Sequence, residues 1–154
     1  MRDYTMLSET SRKDLASGPD VWLNHYWVGV AEDGLDNERE AVSEYQKALE
    51  LSHGNSDPTA GLAHAYVMAG RRNEAQSILR EMLRESKTTY VSPYMIGTIY
   101  ASLGNKEKAF EFLEKAYQER SSDLPWFLRA DVRINSLRSD PRYAELIRRV
   151  GLPQ

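Results

Sequence analysis

A step of 34 residues runs through this chain, and it constrains the fold more than any other feature. Alanine opens a similar phrase three times: Ala41-x3-Tyr45-x2-Ala48, Ala75-x3-Leu79-x2-Met82 and Ala109-x3-Leu113-x2-Ala116. The same step carries Val28-Gly29 to Leu62-Ala63 and Ile96-Gly97, Glu32 to Tyr66 and Tyr100, and Asp36 to Gly70 and Gly104. A period of this size marks a unit that cannot bury its apolar face alone and must stack on its neighbours.

The units read as helical. From Ala41 to Leu51 the apolar residues 41, 42, 45, 48, 49 and 51 form a stripe, with Glu44, Gln46, Lys47 and Glu50 turned outward. Ala109 to Tyr117 follows the same pattern. Asp57-Pro58 and Ser92-Pro93 each offer an N-cap followed by a proline at the first helical position. Gly70 and Gly104 follow apolar stretches, where a left-handed C-terminal cap is wanted. Helix pairs are therefore expected at about 19–33 with 37–51, 56–69 with 72–86, and 92–103 with 106–119. Gly29, Ala63 and Gly97 on the first helices, and Ala41, Ala75 and Ala109 on the second, are small where the two must approach.

The ends differ. Asp140-Pro141 reads as an N-cap and first helical residue, and Tyr143, Leu146, Ile147 and Val150 follow at i, i+3, i+4 and i+7. Arg148 and Arg149 suit the last turn of that helix, and Gly151 its end. Leu124-Pro125-Trp126-Phe127-Leu128 is too apolar for a solvated linker, so 122–154 is expected to be a short helix plus a capping helix. At 1–18 the step from Ala41, Tyr45 and Ala48 lands on Leu7, Ser11 and Asp14, poor support for another second helix, so a tail or a remnant helix is expected.

The repeat resembles the tetratricopeptide repeat (TPR), a 34-residue unit with W-x2-L-G-x2-Y, then A-x3-F, then proline. Repeats two and three match from Tyr66 and Tyr100 onward. Repeat one has His25 at the tryptophan position, Glu32 at the tyrosine and Asp36 at the turn glycine. His53, Lys87 and Ser121 replace the closing proline. The resemblance implies an all-α fold, a right-handed α-solenoid of three helix pairs (about 22–55, 56–89 and 90–121) with C-terminal capping helices. The stretch Arg80 to Leu152, with TTYVSPYMIGTIYASLGNKEKAFEFLEKAYQERS and INSLRSDPRYAELIRRVGL, also looks like the C-terminal TPR region of bacterial signalling proteins. There it follows a Ser/Thr kinase or winged-helix domain, which implies a scaffold or sensory accessory role.

Several function classes are disfavoured by the residues themselves. The chain has no cysteine, so it offers no disulfide, thiolate metal site or cysteine nucleophile, and a reducing, cytoplasmic setting is expected. No run approaches the roughly 18 apolar residues of a membrane span, and the start has no apolar signal region. Phosphate-loop, dinucleotide, zinc-protease and serine-hydrolase motifs are all missing from the sequence. His25, His53 and His64 lack an i, i+4 His or Cys partner and read as packing or surface residues, so no metal or cofactor is expected. Glu38, Glu40 and Glu44 read as a solvated helix face, and no enzyme is expected. Net charge is −3 over the whole chain. Residues 120–154 hold seven Arg and four acids, but these alternate on an expected cap, which argues against nucleic acid as partner.

The resemblance implies a concave groove lined by the first helix of each pair. Its usual positions fall on Leu23, Tyr26, Trp27, Val30 and Asp33, then Asp57, Ala60, Gly61, His64 and Val67, then Val91, Tyr94, Met95, Thr98 and Ala101. Chaperone-binding relatives use Lys, Arg and Asn there to hold a C-terminal carboxylate, and this set has none. It is aromatic and apolar, which suits a peptide or protein segment with apolar anchors. Tyr26, His64, Tyr94 and Thr98 are the foremost groove candidates beside Val30, while Trp27 and Met95 can equally be core. A second reading is a homodimer formed through an open N-terminal end at Trp22, Leu23 and Tyr26.

Overall fold

The computed structural model describes residues 4–151; the parts of the expected tail and cap at 1–3 and 152–154 lie outside the described residues. Every regular element described is helical: α1 (Tyr4–Ser17), α2 (Trp22–Gly34), α3 (Glu38–Leu51), α4 (Ser56–Met68), α5 (Arg72–Glu85), α6 (Pro93–Ser102), α7 (Lys106–Gln118), α8 (Asp123–Phe127), a 3-10 segment (Val132–Leu137) and α9 (Pro141–Val150). The chain is an all-α array of helix pairs. Among the described residues no helix is long and apolar enough to cross a membrane. Two compact units divide it, one ending at Ile78 and the other beginning at Leu79, inside α5.

Turns of three residues each join α2 to α3, α4 to α5 and α6 to α7. Those turns need a left-handed residue, and Asp36, Gly70 and Gly104 supply it at φ 59°, 76° and 81°. Asp36 therefore adopts the conformation that the other two repeats assign to glycine. The cap of α4 differs from expectation. Asn55, not Asp57, is the N-cap: its Oδ1 accepts from the Asp57 N–H at 2.9 Å, which puts Asp57 and Pro58 inside the first turn. Ser92 does precede the first residue of α6, but its hydroxyl donates to Asp123 and makes no cap bond. Asp140 caps α9 from its side chain, and Gly151 closes that helix at φ 80°.

In the N-terminal unit α2 packs against α1 and α3, and α3 against α4. Tyr45, from α3, is the keystone of this unit. Its ring fills the space that a Cβ on Gly29 or Gly61 would need, at 2.8 and 2.4 Å respectively, so both helices are notched to admit it. The presence of α1 corrects the expectation of an open N-terminal end: α2 is covered on that side by residues 4–17.

In the C-terminal unit α6 packs on α7 and on the 3-10 segment. Leu124, Leu128, Ile134 and Leu137 are fully buried or nearly so. The helix α9 runs along α7 through two copies of one clamp. Arg142 lies 4.2 Å over the Phe110 ring and pairs with Glu107, and Arg149 lies 4.2 Å over Tyr117 and pairs with Glu114. Each partner recurs seven residues on, so the two clamps share one register. The arginines of the cap thus cover ring faces while their charges meet carboxylates.

Candidate functional site

The family groove positions separate into two groups by accessibility. Tyr26, Tyr94, Met95 and Thr98 are 0–1% exposed and His64 is 8% exposed. This corrects the expectation that Tyr26, His64, Tyr94 and Thr98 line an open surface, and for Met95 it selects the core alternative. The physical reason is local in each unit.

In the N-terminal unit Tyr26 sits in an aromatic cluster, with ring centroids 6.3 Å from Trp22, 5.3 Å from Trp27 and 6.0 Å from Tyr45. The Tyr45 hydroxyl donates to Asp33 at 3.2 Å, and His64 Nε2 lies 3.8 Å from the same carboxylate oxygen. Tyr45 and Asp33 are hydrogen-bonded inside the unit with His64 close by, and the Tyr26 and Tyr45 rings are spent on packing.

In the C-terminal unit the chain covers its own groove positions. The Tyr94 hydroxyl donates to Asp131 at 3.0 Å, and the Phe127 ring stacks on Tyr94 at 6.2 Å. Ser136 donates to the Ala101 carbonyl at 3.3 Å. Thr98 returns its hydroxyl to the Met95 carbonyl at 2.7 Å. Asp131 is itself buried and chelates Arg133, accepting from Nε at 2.8 Å and Nη2 at 2.7 Å. Burial pushes the Asp131 carboxyl up, but the Arg133 charge and the hydrogen bonds from Arg133 and Tyr94 hold it below the ordinary aspartate range. The segment from α8 to the 3-10 turn therefore occupies this face as a fixed part of the fold.

Of the groove positions, Asp57, Val67 and Val91 stay half-buried, and a more accessible stripe lies on α2. Leu23 is 41% exposed, and Trp27 and Val30 are half-buried. They fall at i, i+4 and i+7, on one helix face. Trp22 is half-buried and Tyr26 is core, so of the residues proposed for self-association Leu23 alone is surface. No group of three or more His, Cys, Asp or Glu able to hold a metal occurs among the described residues.

A polar centre that the repeat pattern did not announce lies on the other side of α2. Glu32 is 2% exposed, and Oε1 accepts from Ser8 Oγ at 2.6 Å and from Arg12 Nη2 at 2.9 Å. Oε2 accepts from Asn37 Nδ2 at 2.7 Å. Burial pushes this carboxyl up, and the bonds from Ser8, Asn37 and Arg12 outweigh it, holding Glu32 below the ordinary glutamate range. Tyrosine stands at the matching position of the other two repeats, so the exchange of Tyr for Glu was the only signal in the sequence.

Comparison with known proteins agrees with this architecture. The family model described as "Tetratricopeptide repeat" matches residues 6–141. Superkiller protein 3 of Schizosaccharomyces pombe is 29% identical over 116 residues, which is 75% of this chain. The chain spans 8% of that relative's length. Repeats of this kind mediate protein–protein interactions in general. From the helix pairs, the turn residues and the matched span, the chain belongs to the tetratricopeptide repeat family.

Proposed function

We infer that this protein is a non-catalytic interaction module that binds a peptide or protein segment through Leu23, Trp27 and Val30 on α2. The observation that carries this reading is the accessible apolar stripe itself, set at helical spacing with Trp27 packed edge-on against the buried Tyr26 ring. A tryptophan and two aliphatic side chains provide contact area at small ordering cost, which suits apolar anchors on a partner. The likeness of residues 80–152 to C-terminal repeats of bacterial signalling proteins supports an accessory, scaffolding role, and the cysteine-free composition supports a cytoplasmic one.

The test is capture of partners on the immobilised full chain, with Leu23→Ala/Trp27→Ala as the paired control. A partner retained by the native chain should bind the double variant roughly 30-fold more weakly or worse, as loss of an anchor of about 2 kcal/mol requires. Helix content must be unchanged. Equal retention by both chains sinks the assignment to this stripe.

The second reading, homodimerisation, is favoured by Val21 and Leu23, which stand exposed together at the start of α2. Light scattering over a concentration range decides it. A dimer that dissociates in Leu23→Ala supports it, and a monomer throughout removes it.

A further inference from the structure

The helix α1 is held to the rest of the molecule in an unusual way. Ser8 and Ser11 are its buried residues, while Leu7 and Leu15 are half-buried and Met6 is 60% exposed. The second helices of the repeats bury Ala and large apolar residues at the matching register: Ala41, Tyr45 and Ala48 on α3. One step of 34 residues back from Tyr45 is Ser11, so α1 takes the station of a preceding second helix with less apolar content: the Tyr4 ring lies over Gly34 of α2, and Leu7 and Leu15 are half-buried. Burying a serine in place of a tyrosine gives up most of the apolar burial at that position.

Polar contacts take over. Ser8 and Arg12, one turn apart, both reach Glu32, and Arg12 also donates to Glu40 on α3 at 2.7 Å. Arg12 Nε donates to Ser8 Oγ at 3.2 Å, which joins the two into one edge. At the other end Asn24 Nδ2 donates to the carbonyls of Asp14 and Gly18, at 3.1 and 3.0 Å, and ties the end of α1 to the start of α2. The helix thus has a tethered end at Asn24 and a charged catch at Glu32.

We propose that α1 is a releasable strap, latched by Ser8 and Arg12 onto the buried Glu32 carboxylate, that lifts from α2 while α2, α3 and α4 stay folded. Lifting bares the face of α2 that stands where a preceding repeat would stack. Loss of one partner from this latch leaves the buried Glu32 carboxylate short of a charge-assisted bond, which is costly. The strap and the Leu23–Trp27–Val30 stripe are tested separately, since neither latch residue belongs to the stripe.

The experiment is hydrogen exchange of the full chain, followed by mass spectrometry, in Arg12→Gln and Glu32→Gln. In Arg12→Gln the amides of 5–17 should exchange about tenfold faster or more, and those of 38–51 should change by less than about twofold. Glu32→Gln should release the same segment. Should that buried substitution unfold the whole unit, Arg12→Gln, at a side chain 44% exposed, still decides the matter. Unchanged exchange in 5–17 overturns the strap. So does equal acceleration in 5–17 and 38–51, which would make α1 an inseparable part of the unit.

Discussion

Asp36 shows what one position contributes to a repeat turn. It holds φ 59° where repeats two and three place glycine, a conformation that strains a residue with a Cβ. Asp36→Gly is expected to raise unfolding stability by up to about 1 kcal/mol, and Asp36→Ala to lower it, with both read from urea midpoints. This site was legible in the sequence, because the 34-residue step set Asp36 beside two glycines. Tyr94 was not. Its register is that of a groove residue, yet its hydroxyl is committed to Asp131, 37 positions away and outside the repeat. A periodic pattern reports what repeats share, and Asp131 belongs to the part that is not repeated. Glu32 escaped for the same reason, since its partners Ser8 and Arg12 precede the first repeat.

At the scale of elements, the helix pairs followed from periodicity and turn glycines, and the capping helix from Asp140-Pro141 and the stripe after it. The helix at 4–17 was harder, because its inward positions are serines and no apolar period advertises it. The docking of α9 gives a pH prediction. Asp140 is held at about 2 by hydrogen bonds from the Arg142 side chain and backbone N–H. A depressed carboxyl contributes stability that is present above its unfolded value, near 3.8, and is lost as pH falls toward 2. Carboxyl resonances followed by NMR should therefore place the Asp140 midpoint about two units below an ordinary aspartate. In Arg142→Ala the midpoint should return toward the ordinary range. A native midpoint already in that range would mean that the capping bond and the Arg142 pair do not form in solution.

For the whole molecule, the family is plain and the partner is a matter of surface chemistry. The set of groove positions has no Lys, Arg or Asn, and several of its members are now placed in the core. Peptides ending in an acidic, chaperone-type carboxylate should therefore show no saturable binding up to about 1 mM by calorimetry. Measurable titration below that concentration would require a cationic site that these positions do not provide.

The ring of Tyr45 has a consequence for exchange of parts. It is carried by the second helix of repeat one, yet its notch is cut half from Gly29 of the same repeat and half from Gly61 of the next. Transplanting repeat one alone into another array would deliver a bulky ring to a neighbour with no glycine to receive it. Transplanting repeat two alone would leave an unfilled notch. For recombination or design, the smallest portable block in this half of the chain is the three-helix body from α2 to α4, cut across the repeat boundary and not along it.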